Sequence, residues 1–328
     1  MRLFLSTVLI LFAVASGLAQ TTPTVDEATS LSVQVVRLFS TEKYAEALPI
    51  AKNVVAMREK NLGRDHILLG QSLRNLGYIE LKLNKRREAL SDFERAVEIY
   101  ESNEPLATAD QTALAEMFET LGFINIISGT PAKSVSKLQQ AIALREKLNG
   151  VDALETASPM KTLGQVFNGL GDYEKAIPLL IRALEIGSKN AGKDGSDNLL
   201  LRQTTACSLT KLGRTDEAAE VNRKFGSGAG NGASKVQIVS GGVVNGRAIT
   251  LAKPQYPSEA KSSRASGAVN VQVLINEAGK VIFACAVSGN KLLQPVSEQA
   301  AYQSVFSPSL LEGKPVKVSG VVTYNFVP

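Results

Sequence analysis

The feature that most limits what this chain can fold into is a small residue that returns at a near-constant interval. Ala47, Ala89, Ser134, Ala176 and Ala218 are separated by 42, 45, 42 and 42 positions. The surrounding segments are related: Tyr44-Ala45-Glu46-Ala47-Leu48, Arg86-Arg87-Glu88-Ala89-Leu90, Tyr173-Glu174-Lys175-Ala176-Ile177 and Thr215-Asp216-Glu217-Ala218-Ala219, with a degenerate copy at Pro131-Ala132-Lys133-Ser134-Val135. Upstream of three of them stand Leu76-Gly77, Leu121-Gly122 and Leu163-Gly164, and downstream the small residues Ala96, Ala141 and Ala183. Within one copy, Ala89, Phe93, Ala96, Val97 and Tyr100 fall on one face of a helix, and Ala176, Leu180, Ala183 and Leu184 repeat the pattern. Gly171 and Gly213 stand where the turn between paired helices needs a residue without a Cβ. A single helical hairpin of this kind leaves an apolar face uncovered, so neighbouring copies must stack.

These positions resemble the tetratricopeptide repeat, in which small residues let two antiparallel helices approach closely. The period exceeds the common 34 or so residues and is similar to the long form found in kinesin light chains, as is the stretch Arg58-Glu59-Lys60-Asn61-Leu62-Gly63-Arg64-Asp65-His66. The resemblance covers residues 28–225, about five helical hairpins, and implies an all-α superhelix with a concave groove for a peptide or partner domain whose identity the sequence does not give. His66, the single histidine, has no companions at metal-ligand or triad spacing and reads as a loop residue of the repeat. Exposed charges such as Glu42, Glu46, Arg95 and Glu98 read as solvated helix faces.

Ahead of the repeats, Met1-Arg2, the apolar run from Leu3 to Ala15 and the small residues Gly17 and Ala19 form the tripartite pattern of a secretory signal peptide over residues 1–19, with cleavage before Gln20. The alternative is an uncleaved inner-membrane anchor facing the periplasm, the one route to membrane contact. No cysteine precedes Cys207, which excludes a lipid-anchored leader. The two cysteines, Cys207 and Cys285, fall in different segments and read as buried small hydrophobes. A net charge of +5 and a pI of 9.1 come from basic residues interspersed with acidic ones, so nucleic acid is not an expected partner. No nucleophile elbow, zinc spacing or phosphate loop is present, and neither an enzyme nor a cofactor or metal is expected.

Residues 226–234, Gly-Ser-Gly-Ala-Gly-Asn-Gly-Ala-Ser, carry no core-forming side chain and read as a flexible linker that lets the following domain swing by about 15–18 Å. Over residues 235–328 the period changes to that of strands. Val269, Val271, Val273 and Ile275 alternate with polar or outward residues, and the turn Glu277-Ala278-Gly279-Lys280 returns the chain through Val281, Phe283, Cys285 and Val287 as a hairpin. A short helix follows over Leu292–Val305 with Pro295 near its start. The last strand runs from Val316 to Val327 with Val316, Val318, Val322, Tyr324 and Phe326 on one face, and Gly320 marks a possible bulge.

Lys253-Pro254-Gln255-Tyr256-Pro257, Gly267-Ala268-Val269-Asn270-Val271, Gly279-Lys280-Val281, Phe306-Ser307-Pro308 and Gly313-Lys314-Pro315-Val316 are similar, in order and spacing, to the C-terminal domain of the energy transducer TonB. The resemblance implies a small α+β domain of three strands packed on a helix, in which a segment of an outer-membrane transporter adds to the last strand. Pro254, Gln255, Tyr256, Pro257, Val316, Val318, Val321, Thr323 and Asn325 are then the partner-binding residues. Three strands leave two open edges, each a template for an added peptide strand. The family's anchoring helix carries a serine and a histidine; this leader has only Ser6 and Ser16, and repeats replace the proline-rich spacer. The expectation is therefore a multidomain, exported periplasmic adaptor that binds an outer-membrane TonB-dependent transporter or other envelope protein. The alternative is an anchored energy transducer.

Overall fold

The computed structural model describes residues 23–190, 195–226 and 238–327. The leader and most of the Gly/Ser linker lie outside the described residues. The chain divides into two compact units, Met1–Leu106 and Ala107–Pro328.

The first unit holds α1 (Pro23–Ser40), α2 (Tyr44–Leu62), α3 (Ile67–Lys82) and α4 (Arg86–Ser102), paired as two antiparallel hairpins. Ala47 and Ala89 are fully buried, as a residue at a close helix crossing must be. His66 caps α3, its Nδ1 accepting the Leu68 N–H at 3.2 Å. That bond satisfies one of the donors every helix start leaves open. Arg95 pairs with Glu59 of α2 at 2.7 Å, so its charge stitches two repeats together and is not merely solvated. Glu146 and Arg182 of the second unit repeat the pairing at 2.8 Å.

The second unit begins with three further hairpins: α5 (Thr108–Ile127) with α6 (Pro131–Asn149), α7 (Leu154–Gly169) with α8 (Tyr173–Lys189), and α9 (Gly195–Lys211) with α10 (Thr215–Gly226). The Leu-Gly positions explain the tight pairing. A Cβ at Gly122 would lie 2.8 Å from Leu138, one at Gly164 2.6 Å from Leu180, and in the first unit one at Gly77 2.9 Å from Phe93. In each repeat the glycine leaves room for the large side chain sixteen positions on. Gly171 and Gly213 take positive φ in the inter-helix turns, at 78° and 77°.

After α10 the unit continues with β1 (Ile238–Val243), a single 3-10 turn (Asn245–Arg247), β2 (Ala248–Thr250), α11 (Ser258–Ser262), β3 (Gly267–Ile275), β4 (Val281–Ala286), α12 (Gln294–Gln303), β5 (Val305–Phe306), β6 (Ser309–Leu311) and β7 (Lys314–Phe326). The main sheet has the order β1-β7-β3-β4, with β6 folded back on the start of β7. β3 pairs antiparallel with both β4 and β7, whereas β1 lies parallel to β7. One face packs Val269, Val271, Val273, Val318, Val322, Tyr324 and Phe326 against Leu293, Ala300, Ala301 and Phe306. Burying each such branched or aromatic side chain contributes about 1.5–3 kcal/mol.

The opposite face is covered too. Leu274, Phe283 and Cys285 form a cluster with Leu199, joined by Leu200 and Cys207 of α9 and by Ile238 and Ile282. Cys207 and Cys285 are not free hydrophobes: they form a disulfide across 78 residues with their Cα atoms 6.0 Å apart. The sheet is therefore fastened to α9, and the 15–18 Å swing expected of a tethered domain does not apply to it. The sheet also has five strands rather than the expected three, because β1 and β6 both lie along β7.

Candidate protein-interaction site

β7 takes its length from strict alternation. Val316, Val318, Val322, Tyr324 and Phe326 are buried, while Lys317, Ser319, Val321 and Thr323 between them are only half-buried. One side of its backbone meets β3 in an uninterrupted register from Phe326 opposite Gly267 to Val318 opposite Ile275. Gly320 keeps step with Val273 and is not a bulge. The other side is not open. β1 runs along it, pairing Ile238 with Lys317, Val239 with Val318, Ser240 with Ser319 and Val243 with Val321, and the irregularity falls on β1 between Ser240 and Gly242.

Beyond β1 the contact tightens. The Val244 N–H donates to the Val321 carbonyl at 2.9 Å. The Asn245 carboxamide then imitates a strand residue: its oxygen accepts the Thr323 N–H at 2.9 Å and its NH2 donates to the Thr323 carbonyl at 2.8 Å. Val244 is 1% exposed and belongs to the core cluster. It fits only because residue 320 is glycine, since a Cβ there would stand 2.5 Å from a Val244 methyl. The edge of β7 is thus built to hold one apolar side chain and one carboxamide, with a plain backbone ladder before them.

The β4 edge is closed by other means. The Ala286 N–H donates to Glu298 Oε1 of α12 at 2.7 Å, and Tyr302 of the same helix stands beside Ala284. Tyr302 is 51% exposed, yet the loss of water around its hydroxyl pushes the phenol above its ordinary value, a shift that the Ala284 backbone partly offsets. Lys211 of α9 reaches over to the same Glu298 at 2.7 Å and to Gln294 at 2.9 Å. Cys207, Cys285 and Glu298 lie close enough to suggest a cation site, but the disulfide consumes both sulfurs and Lys211 already neutralises the carboxylate.

In the first unit, Glu80 is buried near Asp92; burial, then the Asp92 charge, push it up to about 7. A carboxyl of that kind can serve acid–base chemistry. The nearby Lys52 ammonium partly offsets the rise at Glu80.

Two family models match this chain. The tetratricopeptide repeat matches residues 36–102 and 113–186, and the Gram-negative bacterial TonB protein C-terminal matches residues 252–328. The chain carries tetratricopeptide repeats and a TonB C-terminal domain. Among solved structures, the apo form of RapI is similar over 62% of this chain and 54% of its own, at 15% identity and a TM-score of 0.51. BtubC (BKLC) from P. vanneervenii aligns over 66% of this chain and 87% of its own at 15% identity and a TM-score of 0.48. A Podosopora anserina putative kinesin light chain repeat protein aligns over 63% and 96% at 18% identity and 0.49. At 15% identity the likeness to RapI concerns the fold alone. No curated protein matches the chain by sequence.

The TonB C-terminal match begins at residue 252, so β1, Val244 and Asn245 precede it. Of the residues singled out from the sequence, Val316 and Val318 point into the core, while Val321 and Thr323 present backbone groups to the outer edge and Asn325 is exposed. Pro254, Gln255, Tyr256 and Pro257 are not on that edge strand's ladder. Tyr256 packs its ring 5.6 Å from Phe326 and donates its hydroxyl to the Ala265 carbonyl, at the far end of β7. Sequence reasoning missed β1, Val244 and Asn245. The signal was the run Ile238-Val239, but Gly241-Gly242 interrupts it and a parallel partner leaves no hairpin turn to announce the pairing.

Proposed function

We propose that this protein is an exported periplasmic interaction scaffold, in which the tetratricopeptide repeats hold one protein partner and the TonB C-terminal domain holds a second by strand addition to β7. The second partner is an extended segment of an outer-membrane TonB-dependent transporter or another envelope protein. The observation that carries this reading is that the β7 edge already pairs with a strand from outside the matched domain, in parallel and over five residue pairs. An edge that accepts one such segment through backbone groups can accept another. The leader pattern and a disulfide, a bond that persists in oxidising compartments, support export. Among the described residues no helix is long and apolar enough to cross a membrane, which leaves the leader as the segment that decides between a free and an anchored protein.

Two measurements test this. Mass spectrometry of the mature chain should find Gln20 at the N-terminus. A photo-crosslinking residue at Val321 should trap an outer-membrane or other envelope protein in intact cells, while the same probe at Tyr302, beside the closed β4 edge, should not. A chain retaining Met1 would overturn the free periplasmic form, and identical products from both positions would overturn binding at β7.

A further inference from the structure

We infer that β1 is a built-in competitor strand, which occupies Lys317–Val321 of β7 until an extended, small-residue-rich segment of a partner running in the same direction peels it away as far as Gly242. The inference rests on the reading that β7 binds its partner by strand addition, and it adds what that partner must displace and resemble.

The hold on the two halves of this segment is unequal. From Val244 onward the chain is fixed by a buried side chain and by both hydrogen bonds of the Asn245 carboxamide. Before it, Ser240 and Gly242 are exposed, Val243 is 68% exposed, and Ile238 and Val239 are half-buried. That stretch is kept by its ladder and, at its start, by Ile238 packing on the Leu274 and Phe283 cluster. The two parts meet at Gly242, where the register shifts and φ is +60°, a conformation that glycine adopts freely and other residues rarely do. A bulge carrying a glycine is a place where a strand can part without disturbing the anchor beyond it.

The same contacts describe the replacement. A Cβ on Gly241 would lie 2.7 Å from a Val318 methyl, so a strand lying here needs a small residue at that position. Val321 and Thr323 direct backbone groups at this side, and strand alternation gives Lys317 and Ser319 the same direction. Because Asn245 keeps Thr323, the reachable ladder ends at Val321, short of the stretch to Asn325 that the sequence reading assigned to the partner. A tethered strand competes at an effective concentration of about millimolar, so it masks the edge from weak or mismatched peptides and yields to a segment that pairs better.

The test compares the full-length wild type with a full-length Val239→Pro/Ser240→Pro variant, using a fluorescent peptide of residues 236–243 added in trans. Adjacent prolines remove at least one ladder hydrogen bond whichever residue faces β7. The variant should bind the peptide at least tenfold more tightly than the wild type. Equal binding to both would overturn the competitor role while leaving strand addition standing. No binding to a folded variant would overturn both. A second measurement needs no variant: in the wild type, the Ser319 and Val321 amides, which face β1, should exchange with solvent at least a hundredfold faster than those of Val318 and Val322, which face β3. Equal protection of the four would show β1 to be a permanent strand and sink the inference.

Discussion

The two edges of the C-terminal sheet are closed in opposite ways. On the β4 side α12 covers the edge, Glu298 accepting the Ala286 N–H and Tyr302 standing beside Ala284. Behind them stand α9, the Lys211 ammonium and the disulfide. On the β7 side the same kind of groups is answered by a strand whose own side chains are half-buried or exposed. Both arrangements prevent edge-to-edge aggregation. They differ in what it takes to reopen them. The first requires breaking a covalent bond, an ion pair and a packed helix, and the second requires exchanging one backbone ladder for an equivalent one, with little net change in hydrogen bonds. A sheet with one edge sealed and one edge exchangeable has a direction in which it can bind.

Perturbations of the sealed edge should therefore cost most. Cys207→Ser with Cys285→Ser, which frees a loop of 78 residues, should lower the unfolding free energy of the C-terminal unit by about 2–4 kcal/mol, read by urea denaturation under oxidising conditions. Loss of less than half a kcal/mol would mean that packing on α9 alone seals the edge. Lys211→Ala comes next. It leaves Glu298, 24% exposed, without its countercharge. Breaking a fully buried pair costs about 3–5 kcal/mol, and the residual exposure of both partners brings the expectation down to about 2 kcal/mol. Glu298→Gln, which keeps an acceptor for the Ala286 N–H, should cost less than Lys211→Ala; the reverse order would show that the carboxylate matters as a charge rather than as a cap.

On the exchangeable side, Asn245→Ala removes two hydrogen bonds to Thr323 and should cost about 1–2 kcal/mol, with faster exchange of the Thr323 amide. If the loss instead matched that of the disulfide variant, the anchor after β1 would be as permanent as the β4 side and the contrast between the edges would collapse.

How much of this was legible in the sequence follows from the range of the signals. The repeats were readable because a glycine and the side chain sixteen positions later form one local unit, Gly77 with Phe93, Gly122 with Leu138 and Gly164 with Leu180, and the unit recurs. The β3–β4 hairpin and the alternation along β7 were equally local, and both appear where the sequence places them, with β7 beginning two residues early at Lys314. Pairings between distant segments left no periodic trace. Cys207 and Cys285 looked like separate small hydrophobes because nothing near either one indicates α9 lying on the sheet. β1 was hidden for the same reason, and so was the meaning of Gly320, which looked like a bulge in its own strand and turned out to be space for Val244.

The smallest expected effect on stability belongs to the change with the largest expected effect on binding. Val239→Pro with Ser240→Pro strikes a strand that is half-buried or exposed throughout and attached at a glycine bulge, so the domain loses a few solvent-reachable hydrogen bonds and little apolar burial. Each such bond contributes about 0.5–1.5 kcal/mol net, and water can replace those at an exposed edge, which sets the expected loss below about 1 kcal/mol. The same unfolding measurement that reports the disulfide variant would read it. A loss above about 2 kcal/mol would mean that β1 contributes to the core in the way β3 does. In that case the sheet would have two sealed edges, and any partner would have to be sought among the helical repeats.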